Sequence, residues 1–289
     1  MKKILITGAT GNIGMDVIKH LFMQKTEHQI IAGVRNIEKA KQLFKNYPNL
    51  NYTHFDFDDQ NSFQQSLHNI DTVFLLRPPH IDNTDIYFKP LILEMKSKGI
   101  RNVIFLSVQG AEKSKIIPHN RIEKLIVEHQ LNYVFLRPSY FMQNLTTTLW
   151  EEIHNNRLIS LPAGNALFNW IDIDNIAEVA AIVLNQPVQY QNRAIELTGH
   201  ENLNFKEVVS IINQQTTNKI SYQNLSPFKF YSLKAKEGMD KTMILVMIML
   251  HFLPRFQKPP VISDEYERIT GKKPTTISQF VSREINKLD

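Results

Sequence analysis

Six apolar runs of strand length, separated by five segments of helix length, fill the first half of the chain. The runs are "KILIT", "QIIAGV", "NYTHF", "TVFLL", "NVIFLS" and "NYVFLRP". Apolar residues recur at helical spacing over 12–24, 37–44, 62–67, 82–98 and 119–129. Strands that alternate with helices are joined by crossovers and therefore run parallel. Nearly continuous Ile, Val, Leu and Phe marks strands covered on both faces. The pattern predicts a doubly wound α/β sheet, and a chain of 289 residues, 43% of them apolar, can bury one and still leave a remainder.

Between the first run and the first helix stands "TGATGNIG", with glycines at 8, 11 and 14. In that place Gly8 permits a tight turn, Gly11 lets a pyrophosphate approach the backbone, and Gly14 lets helix and strand pack closely. The helix start adds free N–H groups for the phosphates. The spacing is G-x-x-G-x-x-G and not G-x-G-x-x-G, so the context of strand and helix carries the reading. The second run ends "GVRNIEKAK", which puts Arg35 where an acid would meet a ribose hydroxyl, with Lys39 one helical turn on. Arginine there suits a 2′-phosphate, so NADPH is favoured over NADH.

Beyond Pro138 the rhythm changes. "FNWIDIDNIAEVAAIVLN" reads as a strand running into a helix capped by Asp172 or Asp174, and "RAIELTG" as a further short strand. "NFKEVVSIINQQT" and "TTISQFVSREINKL" are amphipathic helices. The expectation is a Rossmann-like nucleotide-binding domain over 1–150. A smaller C-terminal α/β lobe follows over 151–289, partly interleaved with the sheet and packed onto its end.

Composition excludes several classes. The chain has no cysteine, hence no disulfide or thiolate chemistry, which fits a reducing compartment, with cytoplasm the default. Its net charge of +5 comes from scattered Lys and Arg without a basic stripe interleaved by aromatics, so no nucleic acid is expected. No metal-ligand spacing stands out. The longest apolar run, "MILVMIMLHFLP", is shorter than the roughly 20 residues a membrane span needs. A helix apolar on every face must be covered. It reads as part of a lid over an apolar acceptor site, with Met247 and Phe252 lining it, as a contact between two copies, or as plain core. The chain is expected as a monomer or homodimer.

"TGATGNIG" followed by "VRN", then "LSVQGAE" and "HNRIEKLIVEHQLNYVFLRPSYFMQNL", resembles the atypical short-chain dehydrogenase/reductases. Within them it is similar to the NmrA-like branch, which includes proteins of the NADPH-dependent quinone oxidoreductase and triphenylmethane reductase type. The resemblance implies that the C-terminal lobe binds the substrate, that Gly8, Thr10, Gly11, Asn12, Ile13 and Gly14 form the pyrophosphate loop and that Arg35 and Lys39 take the 2′-phosphate. Asp56 and Phe57 would lie near the adenine, Asp56 reading equally as a helix N-cap. Leu76, Arg77 and Pro78, with Ser107 and Pro138, would border the nicotinamide end. Ser107 ends the fifth run, as the catalytic serine of classical members does. Their Tyr-x-x-x-Lys is replaced by His119 and Glu123 in "HNRIE". One turn apart, imidazole and carboxylate are expected to meet, the acid favouring a protonated ring. Tyr140, Phe141 and Asn144 in "RPSYFMQNL" are expected to wall a pocket for a flat acceptor. The function implied is an NADPH-dependent reductase of a small quinone-like molecule. The alternative is a protein that senses NADPH without turnover; nucleotide-sugar epimerisation is weakened by the missing Tyr-x-x-x-Lys.

Overall fold

The computed structural model describes residues 1–78, 81, 83–115 and 117–289. The alternating half of the sequence forms β1 (Lys3–Ile6), α1 (Asn12–Met23), β2 (Gln29–Val34), α2 (Ile37–Leu43), β3 (Asn51–His54) and α3 (Asn61–Ser66). It continues with β4 (Thr72–Leu75), α4 (Thr84–Ser97), β5 (Asn102–Leu106), α5 (Pro118–Glu128) and β6 (Asn132–Pro138). The expected helix start at Asp82 lies outside the described residues; α4 begins at Thr84, where the Asn83 side chain accepts from the Ile86 N–H. The remainder contributes β7 (Tyr140–Phe141), α6 (Trp150–Asn156), β8 (Leu158–Leu161), β9 (Phe168–Ile171), α7 (Ile173–Asn185), β10 (Arg193–Leu197) and β11 (Asn202–Leu203). Then come α8 (Phe205–Gln215), β12 (Ser221–Asn224), α9 (Pro227–Lys236), α10 (Lys241–Phe252), α11 (Glu265–Thr270), α12 (Ile277–Arg283) and α13 (Ile285–Leu288).

Two compact units emerge. The first comprises 1–138, 173–197 and 268–271. Among its described residues, seven strands form one sheet in the order β3-β2-β1-β4-β5-β6-β10, every neighbouring pair parallel. The seventh strand is the run "RAIEL", which the sequence reading assigned to the later part of the chain: Ala194 lies beside Phe135 of β6. The middle strands carry Leu5, Val73, Leu75, Val103 and Phe105, all fully buried, as a sheet covered on both faces requires. Helix α7 packs on α1, and Asp174 pins the pair through Lys19 and His20 at 2.9 and 3.0 Å.

The second unit comprises 139–172, 198–267 and 272–289. It contains a three-stranded sheet in the order β11-β9-β7 and a parallel pair β8-β12. Its apolar core gathers Trp170, Phe205, Phe230, Ile244, Met247 and Phe280. Asn169, buried in β9, ties the ends together, accepting from Gly199 N and Ser139 Oγ at 2.7 Å each and donating to the carbonyls of Gly199 and Glu201. The carboxylate of Asp172 receives both terminal nitrogens of Arg283, which fastens α12 to the end of β9.

Candidate active site

The order reverses between β1 and β4, and in open α/β sheets ligands collect outside the strand ends at that switch point. Thr7 joins the two ends: its N–H and hydroxyl both donate to the Phe74 carbonyl, at 3.0 and 3.1 Å, and its hydroxyl accepts from Leu76 N at 2.9 Å. Gly8 then turns the chain with φ +59°, a left-handed conformation that side chains disfavour. A Cβ on Gly14 would lie 2.3 Å from the Gly8 carbonyl oxygen, so only glycine lets α1 start this close to the turn. Helix α1 has Gly11 as N-cap, hence no side-chain cap, and no acid in its first turn. The first helical bond runs from Met15 N to Gly11 O, which leaves the N–H groups of Asn12, Ile13 and Gly14 without intrahelical partners. Gly8, Thr10, Gly11 and Asn12 are exposed and Ile13 is half-buried. A bare turn beneath an open helix start fits a dinucleotide pyrophosphate.

Arg35 and Lys39 are exposed at the end of β2 and in the first turn of α2, and among the described residues neither is in an ion pair. The Asn36 side chain caps that helix by accepting from Lys39 N. At the end of β3, Asp56 does not cap a helix: it accepts from Asp58 N at 3.1 Å and braces a turn closed by Ser62. The Phe57 ring turns into the core against Phe55 and Phe88, and the residue is buried. Leu76 abuts Gly8, and the Arg77 guanidinium folds back onto the carbonyls of Pro78 and Ile81.

Around the ends of β5 and β6 and the start of α5, the structure corrects the expected pairing of His119 with Glu123. Glu123 is buried and turned to other partners: it accepts from Ser107 Oγ at 2.6 Å and from Arg137 Nε and Nη2 at 3.0 and 2.7 Å. Arg137 also meets Glu112 at 3.0 Å and Glu196 at 3.4 Å. Burial opposes the charge on Arg137, but the Glu123 hydrogen bonds and three carboxylates outweigh it and hold the pKa above its ordinary value. His119 instead lies against Phe105, ring centroids 5.8 Å apart, its Nδ1 buried without a partner among the described residues. Burial, with the Arg77 charge adding to it, pushes the imidazole down to about 3. The ring is neutral at physiological pH, opposite to the expectation. Pro138, buried at the end of β6, accepts from Gln109 N.

In the second unit, Tyr140 joins a cluster of rings with Trp170, Phe168 and Phe205. His251 Nδ1 lies 2.7 Å from the Met247 carbonyl, which can only accept, so Nδ1 carries the hydrogen and Nε2 accepts from the Tyr140 hydroxyl at 3.0 Å. Burial pushes His251 down to about 4 against the pull of the Met247 carbonyl. The Tyr140 phenol is raised by burial, with the Asn144 side chain opposing through a hydrogen bond. Phe141 is half-buried in β7. Met247, at 4% exposure, packs as core, whereas Phe252 sits partly open under the Arg255 guanidinium. Sequence reasoning missed Arg137 and His251. Each left a signal: a lone charge in the strand "NYVFLRP" and the one polar residue interrupting "MILVMIMLHFLP".

A parallel sheet in this order, with a glycine turn and an open helix start at its switch point, defines the Rossmann class. The chain belongs to the NmrA-like family, whose profile matches residues 1–288. Among curated proteins it is similar to the Prestalk A differentiation protein A of Dictyostelium discoideum, 29% identical over 277 residues, 96% of this chain and 90% of that one. Its fold is that of the Citrobacter sp. triphenylmethane reductase solved with NADP(H), with a TM-score of 0.84 at 23% identity over 97% of this chain and 99% of that one. The NADPH-dependent quinone oxidoreductase of Escherichia coli, solved with NADPH, gives 0.85 at 21% identity over 98% and 100%.

Proposed function

We propose that the protein is an NADPH-dependent reductase of small, flat, conjugated acceptors, quinones above all. The observation that carries this reading is the uncapped start of α1 over the glycine turn, with Arg35 and Lys39 free at the neighbouring strand end. NADPH, when bound, supplies the hydride. The chain's own residues bind and orient. The N–H groups of Asn12, Ile13 and Gly14 take the pyrophosphate, and Arg35 and Lys39 take the 2′-phosphate. Ser107 donates its hydroxyl hydrogen bond to Glu123, so its oxygen keeps its lone pairs to accept from a ligand N–H. Neutral His119 donates a single ring N–H and holds no proton to release near neutrality. Tyr140, Phe141, Asn144 and Phe252 are the proposed acceptor contacts. Converting a quinone to its quinol takes one hydride and one proton, and water supplies the proton, so the arrangement needs no side chain of near-neutral pKa.

A different observation favours a second reading, a sensor that binds NADPH without turnover: Glu123 is held by Arg137 and Ser107, and His119 is kept neutral. The test mixes protein, NADPH and a panel of quinones and follows the absorbance of the reduced nicotinamide. Turnover on several quinones is expected. Tight NADPH binding with no turnover on any of them overturns the reductase and leaves the sensor.

A further inference from the structure

Helix α10 breaks the rule that the solvent side of a surface helix is polar. Ile244, Met247 and His251 face the core of the second unit. On the other side Met243, Leu245, Val246, Met249, Leu250 and Leu253 stand 42–53% exposed, and Phe256 just beyond them is 75% exposed. Between Thr242 and His251 every residue is apolar, so the outward arc offers water no polar group. Exposed apolar surface of this extent marks an interaction site.

The charges around this arc say what covers it. Residues 227–258 contain six basic side chains and two acidic ones, Glu237 and Asp240. Both acids are engaged: Glu237 pairs with the buried Lys234 at 3.0 Å, and Asp240 caps α10 by accepting from Thr242 N and Met243 N. Left exposed are Lys229, Lys236, Lys241, Arg255 and Lys258, none of them in an ion pair among the described residues. Lys236 and Lys241 flank the start of the apolar helix, and Arg255 and Lys258 follow its end. A second copy docked about a two-fold axis would set this basic rim against itself. A bilayer containing anionic lipid offers hydrocarbon to the arc and negative charge to the rim. Twelve residues of helix span roughly 18 Å, too short to cross a bilayer but suited to lying in its interface.

We propose that α10 with its basic flanks is a docking surface for anionic membranes, on which the protein binds reversibly. The test is co-sedimentation of the full chain with vesicles of phosphatidylcholine mixed with phosphatidylglycerol, against vesicles of phosphatidylcholine alone. Binding to the mixed vesicles only, weakened by salt, is expected. Leu250→Asp should abolish it, and the pair Lys236→Glu and Lys241→Glu should weaken it about tenfold or more. All three positions are exposed, so the variants keep the wild-type melting temperature. No binding to mixed vesicles, or equal binding to both kinds, overturns the proposal. So does a dimer in sedimentation velocity without lipid that Leu250→Asp dissolves, since the arc is then covered by a second copy.

Discussion

Helices α8 and α12 start in one way and α1 in another. At α8 the Asn204 side chain accepts from Lys206 N and Glu207 N while Glu207 accepts from Asn204 N, and at α12 Thr276 and Gln279 close the same reciprocal box. At α1 the N-cap is Gly11, which has no side chain to cap the first turn. A cap of the first kind contributes about 1 kcal/mol to stability. Its absence from the helix that opens at the sheet's switch point leaves backbone donors for a ligand. The same local structure thus serves stability at one place and binding at the other, and substitution can separate the two.

The largest expected effect is that of Gly11→Val: NADPH binding is abolished in a calorimetric titration while the protein stays folded, because the new Cβ would meet only the Gly8 oxygen, at 3.3 Å. Unchanged affinity would refute the placement of the pyrophosphate. Gly14→Ala acts on the fold as well, since its Cβ would lie 2.3 Å from one backbone atom and 2.8 Å from another. Overpacking costs about 1–3 kcal/mol, so a melting temperature lower by roughly 2–10 °C is expected; an unaltered value would show that the turn yields freely. Arg35→Glu should weaken NADPH tenfold or more and NADH little, as a charge-assisted contact of about 1.5–3 kcal/mol is lost. Equal loss for both cofactors removes Arg35 from the 2′-phosphate site.

Smaller effects sharpen the comparison from the other side. Thr276→Ala should cost about 1 kcal/mol, read as a drop of a few degrees in melting temperature, with NADPH affinity unmoved. A loss of NADPH affinity there would mean that the two kinds of helix start are not independent. His119→Ala should lower quinone turnover only a few-fold. Because the imidazole, pushed down to about 3, is already neutral, kcat should show no ionisation of this ring between pH 5 and pH 8. A hundredfold drop on substitution, with a wild-type kcat that falls as pH rises through about 6.5, would restore His119 as a general acid.

Legibility followed locality. Strands, helices and the glycine turn were readable because their signals lie within a few residues of each other: Gly8 and Gly14 do in the structure what their spacing asks. Phe57 was readable as lying beyond β3, but its inward ring was not, since the direction depends on Phe55 and Phe88 packing beside it. The run "RAIEL" was readable as a strand, whereas its place beside β6 depends on the path of the whole chain between them. The apolar segment 243–250 was readable as a helix needing cover; which of its residues face the core was set by the partners in the second unit.

By itself the sequence determined the alternation of strands and helices and the bare turn at 8–14, because backbone sterics and side-chain periodicity are local properties. It also determined the basic pair at the end of β2. Tertiary structure alone decided who holds Glu123. A helix brings His119 within one turn of that carboxylate, but the neighbouring strand brings Arg137, whose planar guanidinium offers several donors and a permanent charge. In a buried site a fixed cation with two hydrogen bonds prevails over an imidazole that would first have to be protonated, and so the residue that read as the partner of a proton donor is the clamp that orients Ser107.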